Sequence, residues 1–404
     1  MQKYDLLIIG AGSAGSAAAL HAVGKKVTLV EKSRIGGTCV NDGCIPFKSF
    51  LNITEKISEL RNGIPGIYPT PQDFDYTQII DEVKRRTDNV RKALEFSLRN
   101  ITILSGDVLI KDSHHAVVNN DEIEFEYLLI TTGCTHIAPK SATAQLFDLE
   151  KLPAEITVVG SGFSGLEAAA ILARLGVKVT LQEKQSVICP GLPEILRKEL
   201  LIILRRAGIN VKTNCDSIPQ NALLCNGSRP VLPAFSGTAP IAATDNLGYL
   251  IVNENQQTSV DNWFAAGDIC SNTPKLAYIA EYQAKKAVSA IFGLPSITTI
   301  DKQLIPFCIF APVPLAWFGD LDNPDFIIEK KSYKSIPAAS AYNDTRGFLI
   351  TATDTNGLLR AAAICGTAAQ EMIHQLLICA KYKITLQDLH NNVLKLHPVL
   401  SEII

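Results

Sequence analysis

Cys39 and Cys44 stand five positions apart in GGTCVNDGC (residues 36–44), among glycines and polar residues, just before a helix-like apolar run that begins Ile45-Pro46-Phe47-Lys48. Two cysteines this close can do thiol–disulfide chemistry or bind a metal. A zinc site normally needs two to four residues between the cysteines and a second ligand pair, and the chain has no such second pair, so no metal site is expected. Burial does not explain the pair either. Of the ten cysteines, Cys225, Cys365 and Cys379 lie in apolar stretches that suit inert core thiols, whereas Cys39 and Cys44 do not.

Two glycine turns give the pair its context. In YDLLIIGAGSAGSAAAL an apolar strand runs into Gly10, Gly12 and Gly15 and then an alanine-rich helix. A second strand, KVTLVEK, reaches Glu31, 21 residues after Gly10. Gly10 permits the tight turn, Gly12 admits a pyrophosphate to the backbone, and Gly15 lets helix and strand pack closely. The helix N-terminus stabilises phosphate charge, and Glu31 can accept hydrogen bonds from a ribose 2′-hydroxyl. The same pattern returns in EITVVGSGFSGLEAAAILARLGVKVTLQEK, with Gly160, Gly162, Gly165 and Glu183. Two units imply two dinucleotides, or one dinucleotide and a structural relic. An acid at each site disfavours a 2′-phosphate. With no arginine cluster after Glu183, the second site is expected to take NAD rather than NADP.

These motifs, in this order, resemble the flavoprotein disulfide reductases, among them dihydrolipoamide dehydrogenase, glutathione reductase and mercuric reductase. The resemblance runs nearly end to end. It takes in the first glycine turn, GGTCVNDGCIPFK, LLITTGCTH (128–136), the second glycine turn, TSVDNWFAAGDIC with Gly267-Asp268, and KLHPVLSEII at the C-terminus. It implies that FAD is held by Gly10, Gly12, Gly15, Glu31, Gly37, Thr38, Thr132, Gly133, Gly267 and Asp268. NAD is then held by Gly160, Gly162, Gly165 and Glu183, with Phe163 at a position that is usually an aromatic gate. It further implies that Cys39 and Cys44 form a redox-active disulfide against the flavin, Gly43 supplying the backbone freedom for so short a loop. Cys44 would face the flavin at a helix start that favours its thiolate, and Cys39 would exchange with substrate. Lys48, one turn beyond Cys44, would sit by the flavin N5 and pair with Glu167. His397 would be the acid–base that takes and returns the substrate thiol's proton, oriented by Glu402.

The fold class expected is α/β, with two Rossmann-like dinucleotide-binding domains and a C-terminal α+β dimerisation domain. The segments are 1–150 (FAD, first part, with the disulfide), 151–235 (a shortened NAD domain), 236–300 (FAD, second part) and 301–404 (interface). A long charged helix is expected near 72–99 and a hairpin turning at Asn119-Asn120. The substrate expected is a dithiol or disulfide, small or carried on a lipoyl domain. The resemblance further implies that the active unit is a homodimer in which each site borrows the partner's histidine. The alternatives are a glutathione reductase-like enzyme and a flavin-binding protein with an impaired nucleotide site. A net charge of −2 over 404 residues gives no reason to expect nucleic acid or an anionic membrane surface as partner. No apolar run reaches the roughly 18 residues a membrane span needs. Residues 1–5 lead straight into a strand, leaving no room for a signal peptide, so a cytoplasmic protein is expected.

Overall fold

The computed structural model describes residues 2–63 and 74–404, leaving out the side chain of Asn62. Residues 72 and 73, the start of the expected long helix, lie outside these. The chain divides into two compact units, one made of residues 1–50, 74–151 and 226–298, the other of 51–73, 152–225 and 299–404.

The first unit is built on an eight-stranded sheet. Its strands are β1 (Gln2–Ile9), β2 (Val27–Glu31), β3 (Thr102–Ser105), β4 (Val108–Ile110), β5 (His115–Val118) and β6 (Asp121–Ile130), with β13 (Ala234–Phe235) and β14 (Trp263–Ala265) from the returning chain. The order is β13-β4-β5-β6-β1-β2-β3, and β14 pairs with β6. Strand β1 is parallel to both β2 and β6, and Leu6, Leu7 and Ile8 are fully buried. That explains a continuous apolar run rather than an alternating one. The expected hairpin forms between β5 and β6, with Asn119 at φ 56°. Helix α1 (Ser13–His21) lies against α8 (Ala277–Phe292), and its alanines 14, 18 and 19 share a core with Ala280, Ala284 and Ala287. Small side chains let the two helices approach closely. Four further helices belong wholly or partly here: α2 (Gly37–Asn41), α3 (Cys44–Asn62), α4 (Tyr76–Ser97) and α5 (Ala142–Phe147). Asp75 caps α4 by accepting from the N–H groups of Thr77 and Gln78. Helix α3 begins in this unit, and its residues from Leu51 onward belong to the other.

Residues 226–235 differ from expectation. The sequence reading groups them with the nucleotide stretch, yet β12 (Ser228–Pro230) pairs with β7 (Cys134–His136) and β13 pairs with β4. Main-chain hydrogen bonding therefore assigns this segment to the first unit, and the chain returns at 226.

The second unit carries two sheets. The first comprises β8 (Glu155–Val159), β9 (Lys178–Gln182), β10 (Asn210–Lys212) and β11 (Ala222–Leu224), all parallel, in the order β10-β9-β8-β11, with α6 (Phe163–Arg174) and α7 (Glu194–Arg206). The second is antiparallel: β15 (Phe307–Ile309), β16 (Leu315–Phe318), β19 (Leu359–Cys365), β18 (Phe348–Thr353) and β17 (Ile327–Ser332), in that order. Helix α9 (Pro337–Ala341) precedes β18. Helices α10 (Ala369–Tyr382) and α11 (Leu386–Asn392) follow β19, and Ala362 and Ile364 share a core with Met372, Ile373 and Leu376 of α10. Among the described residues no helix is long and apolar enough to cross a membrane.

Candidate functional site

Cys44 is the first residue of α3, and Cys39 is the third residue of the short helix α2. Both are thiols, Cys44 exposed and Cys39 half-buried. They are in hydrogen-bonding contact, and that contact, followed by burial, drives the Cys39 thiol well above its ordinary range. The N-terminus of the 19-residue helix α3 favours a thiolate at Cys44. The Ser13 hydroxyl at the start of α1 also hydrogen-bonds Cys39 and pulls in the opposite direction, while the Glu281 carboxylate pushes it up. Burial is the main cause that pushes Cys225, Cys270 and Cys365 each to about 12, the behaviour of inert core thiols.

Gly43 works by size. It is not among the residues with positive φ, but a Cβ there would lie 3.1 Å from the Thr38 carbonyl oxygen. The expectation of backbone freedom is corrected to one of close approach. Thr38 is exposed and accepts from Asp42 N–H at 2.9 Å. Gly36 and Gly37, at φ 98° and 55°, turn the chain into α2, and a Cβ on Gly37 would stand 2.8 Å from Gly12 Cα.

The first glycine turn is equally tight. A Cβ on Gly10 would meet the Thr131 carbonyl oxygen at 2.6 Å, and one on Gly15 would meet Gly10's at 1.8 Å. Glu31 accepts from Ala11 N–H and Ser33 N–H, each at 2.8 Å. Thr132 Oγ1 is buried with no hydrogen-bond partner among the described residues, and Gly133 beside it, at φ 64°, has open space where a Cβ would stand. Gly267 is wedged between Ala14 and Ala280, its N–H donating to Gln283 Oε1. Burial raises the Asp268 carboxyl, opposed by Lys275. Lys275 also donates to the carbonyls of Asp268 and Cys270 and lies over the Tyr249 ring, while Cys134 Sγ donates to the Asp268 carbonyl at 3.1 Å. The sequence reading did not identify Ser13, Cys134 or Lys275. The partners of Ser13 and Cys134 lie far along the chain, and Lys275 joins two nearby carbonyls to the more distant Tyr249 ring. A cradle of glycines with an unpartnered buried hydroxyl and a half-buried carboxyl fits a dinucleotide such as FAD.

In the second unit, a Cβ on Gly165 would lie 1.8 Å from Gly160's carbonyl oxygen, whereas one on Gly162 would meet open space. Glu183 is buried. Burial would raise its carboxyl, yet hydrogen bonds from Gln185 N–H and from the hydroxyl and N–H of Ser161 hold it below the ordinary range. An ionised carboxylate at the end of β9 fits a ribose diol and repels a 2′-phosphate. Phe163 meets Trp317 edge-on, and Trp317 stacks on Phe307 at 5.4 Å. Glu167 is buried on α6 and accepts from Phe310 N–H at 3.3 Å. Its expected partner Lys48 lies in the first unit, half-buried on α3. His397 Nδ1 is 2.7 Å from Glu402 Oε1, the pairing expected from sequence, and this bond holds the Glu402 carboxyl below its ordinary range. A cavity of about 370 Å³ lined by Pro190, Arg197, Lys302, Trp317 and Asp322 contains none of the expected site residues. Among the described residues no cluster of three or more His, Cys, Asp or Glu could hold a metal ion.

Residues 4–218 match the family model of the pyridine nucleotide-disulphide oxidoreductases, and residues 305–404 match that family's dimerisation domain. Dihydrolipoyl dehydrogenase of Haloferax volcanii is 27% identical over 450 aligned positions, covering 98% of this chain and 94% of that one. The probable pyridine nucleotide-disulfide oxidoreductase RclA of Escherichia coli is 26% identical, covering 100% and 98%. Mercuric reductase of Lysinibacillus sphaericus is 25% identical, covering 96% and 79%. In fold, the chain matches the HOCl-induced flavoprotein disulfide reductase RclA from Escherichia coli with a TM-score of 0.85 at 24% identity, covering 99% and 98%. It matches LpdA from Mycobacterium tuberculosis with a TM-score of 0.87 at 22% identity, covering 100% and 98%.

Proposed function

The chain belongs to the pyridine nucleotide-disulphide oxidoreductase family, and from that premise we propose that it oxidises or reduces a dithiol/disulfide substrate with NAD(H), dihydrolipoamide being the substrate class it fits best. The observation carrying this reading is the contact between Cys39 and Cys44, with Cys44 at the start of α3. FAD, when bound, supplies a two-electron carrier. It would be held by Gly10, Gly12, Gly15, Glu31, Gly37, Thr38, Thr132, Gly133, Gly267 and Asp268, with Lys48 as the cation beside it.

The thiol half of the reaction can be written for this chain's own atoms. In the oxidised protein Cys39 and Cys44 share a disulfide. A substrate thiolate, its proton taken by His397, attacks Cys39 Sγ, and the Cys39–Cys44 bond breaks with Cys44 leaving as thiolate. The second substrate thiol then attacks the substrate sulfur of the mixed disulfide, releasing Cys39, which receives the proton from His397. Two electrons have moved from substrate to the cysteine pair, the substrate is a disulfide, and one proton has gone to solvent. Glu402 fixes the imidazole tautomer and supports the charge it gains. The match of residues 305–404 to a dimerisation domain supports a homodimer in which His397 serves the partner's cysteines. Residues 152–225 would hold NAD, with the ionised Glu183 setting NAD above NADP.

Steady-state rates with NADH and lipoamide, compared with NADPH and glutathione disulfide, test the assignment. The proposal expects turnover with the first pair. Turnover confined to the second would overturn the substrate and coenzyme assignment.

A further inference from the structure

The two glycine turns provide an internal comparison, because their acids sit in different hydrogen-bond environments. Glu31, after the first turn, receives one main-chain N–H on each carboxylate oxygen: Ala11 N to Oε2 and Ser33 N to Oε1, both 2.8 Å. Glu183, after the second, receives the equivalent pair, Ser161 N to Oε2 and Gln185 N to Oε1, both at 3.0 Å. It also receives a third bond. The Ser161 hydroxyl donates to Oε2 at 2.5 Å, where the first turn has Ala11 and no hydroxyl.

A carboxylate oxygen accepts about two hydrogen bonds. Each oxygen of Glu31 takes one of its two bonds and keeps room for a ribose hydroxyl, while Oε2 of Glu183 is filled by the N–H and hydroxyl of Ser161, and the Lys184 N–H also bears on that carboxylate. The Ser161 hydroxyl cannot readily give way. Ser161 is fully buried, and its Oγ accepts from Cys189 N–H at 2.9 Å, which fixes the hydroxyl's position at the turn. Turning the proton off Glu183 would leave a buried donor unsatisfied.

We propose that Ser161 is a positioning residue that occupies one ribose-binding lone pair of Glu183, so that the second site grips the adenosine ribose of NAD by one hydrogen bond fewer than the first site can offer FAD. This rests on the reading of residues 152–225 as the NAD site. It gives the second site a coenzyme that binds and leaves, in contrast to a first site that retains one, and it assigns that difference to a single side chain.

Isothermal titration of the oxidised FAD holoenzyme with NAD⁺ tests it, comparing wild type with Ser161→Ala. Removing the hydroxyl should tighten NAD⁺ about fivefold, the size of one net hydrogen bond. The gain should vanish with an NAD⁺ analogue whose adenosine ribose is 2′,3′-dideoxy, a discrimination that a merely structural role for the serine would not produce. Unchanged or weaker NAD⁺ binding by a folded Ser161→Ala protein would overturn the proposal, as would an equal gain with the dideoxy analogue. Should that variant fail to fold, Ala11→Ser adds the same hydroxyl to the first turn and should weaken FAD retention about fivefold on dialysis; unaltered retention would overturn the proposal. Tighter binding of NADP⁺ than NAD⁺ by wild type would sink the NAD reading, while the effect of Ser161→Ala on NAD⁺ would still decide for or against Ser161. Binding of neither coenzyme by either protein would overturn both.

Discussion

Replacing Thr132 by valine separates a cofactor-binding hydroxyl from a structural one, because the two roles predict opposite signs. Thr132 Oγ1 is buried without a hydrogen-bond partner among the described residues. An unmet buried hydroxyl costs about 1–3 kcal/mol, so an isosteric methyl in its place should stabilise the protein freed of FAD. For a unit of some 200 residues, about 1 kcal/mol moves Tm upward by roughly 2–4 °C. FAD should meanwhile bind more weakly. A net hydrogen bond of about 0.5–1.5 kcal/mol corresponds to a roughly two- to twelvefold loss in affinity, and more if its partner is an ionised phosphate. The assays are thermal unfolding of the apoprotein and FAD titration followed by flavin fluorescence. A lower apoprotein Tm together with unchanged FAD affinity would refute the reasoning, since the hydroxyl would then serve the fold and not the cofactor.

Other outcomes follow from the same geometry. Gly15→Ala and Gly165→Ala each force a Cβ to within 1.8 Å of a carbonyl oxygen in their own turn; the first should yield colourless protein, and the second a yellow protein whose NAD⁺ binding is lost by calorimetry. In the reduced protein Cys44→Ala removes the contact that raises Cys39, so the pH midpoint for iodoacetamide alkylation of Cys39, read by peptide mass spectrometry, should fall; a rise or no change would contradict the proton order given above. His397→Asn should lower turnover by about 10²- to 10⁴-fold, the range for losing a general acid–base. The His397 bond depresses the Glu402 carboxyl, so it contributes at neutral pH and is lost as pH falls through the depressed value. In His397→Asn the Glu402 titration, followed by NMR, should move back up toward the ordinary carboxylate range.

Much of this architecture is legible in the sequence where a requirement is local. A tight turn needs glycine at 10 and 160, the helix that follows needs a small residue at 15 and 165, and the redox helix announces itself by Cys44 ahead of an apolar run. His397 and Glu402 are legible too, five residues apart and 2.7 Å between polar atoms. What escapes is set by distant chain. Residues 226–235 look continuous with the nucleotide stretch, but β12 and β13 find their hydrogen-bond partners at 134–136 and 109–110. Gly43 reads as a flexible link and proves to be a matter of space beside Thr38. Lys275 shows no motif, because the carbonyls and ring it engages come together only when the 245–250 turn and the Gly267-Asp268 segment fold together. Ser161 looks like an ordinary turn residue until its hydroxyl is found on Glu183.

The central claim is that Cys39 and Cys44 exchange electrons as a pair with a pyridine nucleotide. Anaerobic addition of NADH to the oxidised flavoprotein, quenched with iodoacetamide and mapped by peptide mass spectrometry, measures this directly. Residues 39 and 44 should be protected before NADH and become alkylated together after it, with the other eight cysteines unchanged. Labelling of 39 and 44 that dithionite induces but millimolar NADH does not, or labelling of both before any reductant is added, would contradict it.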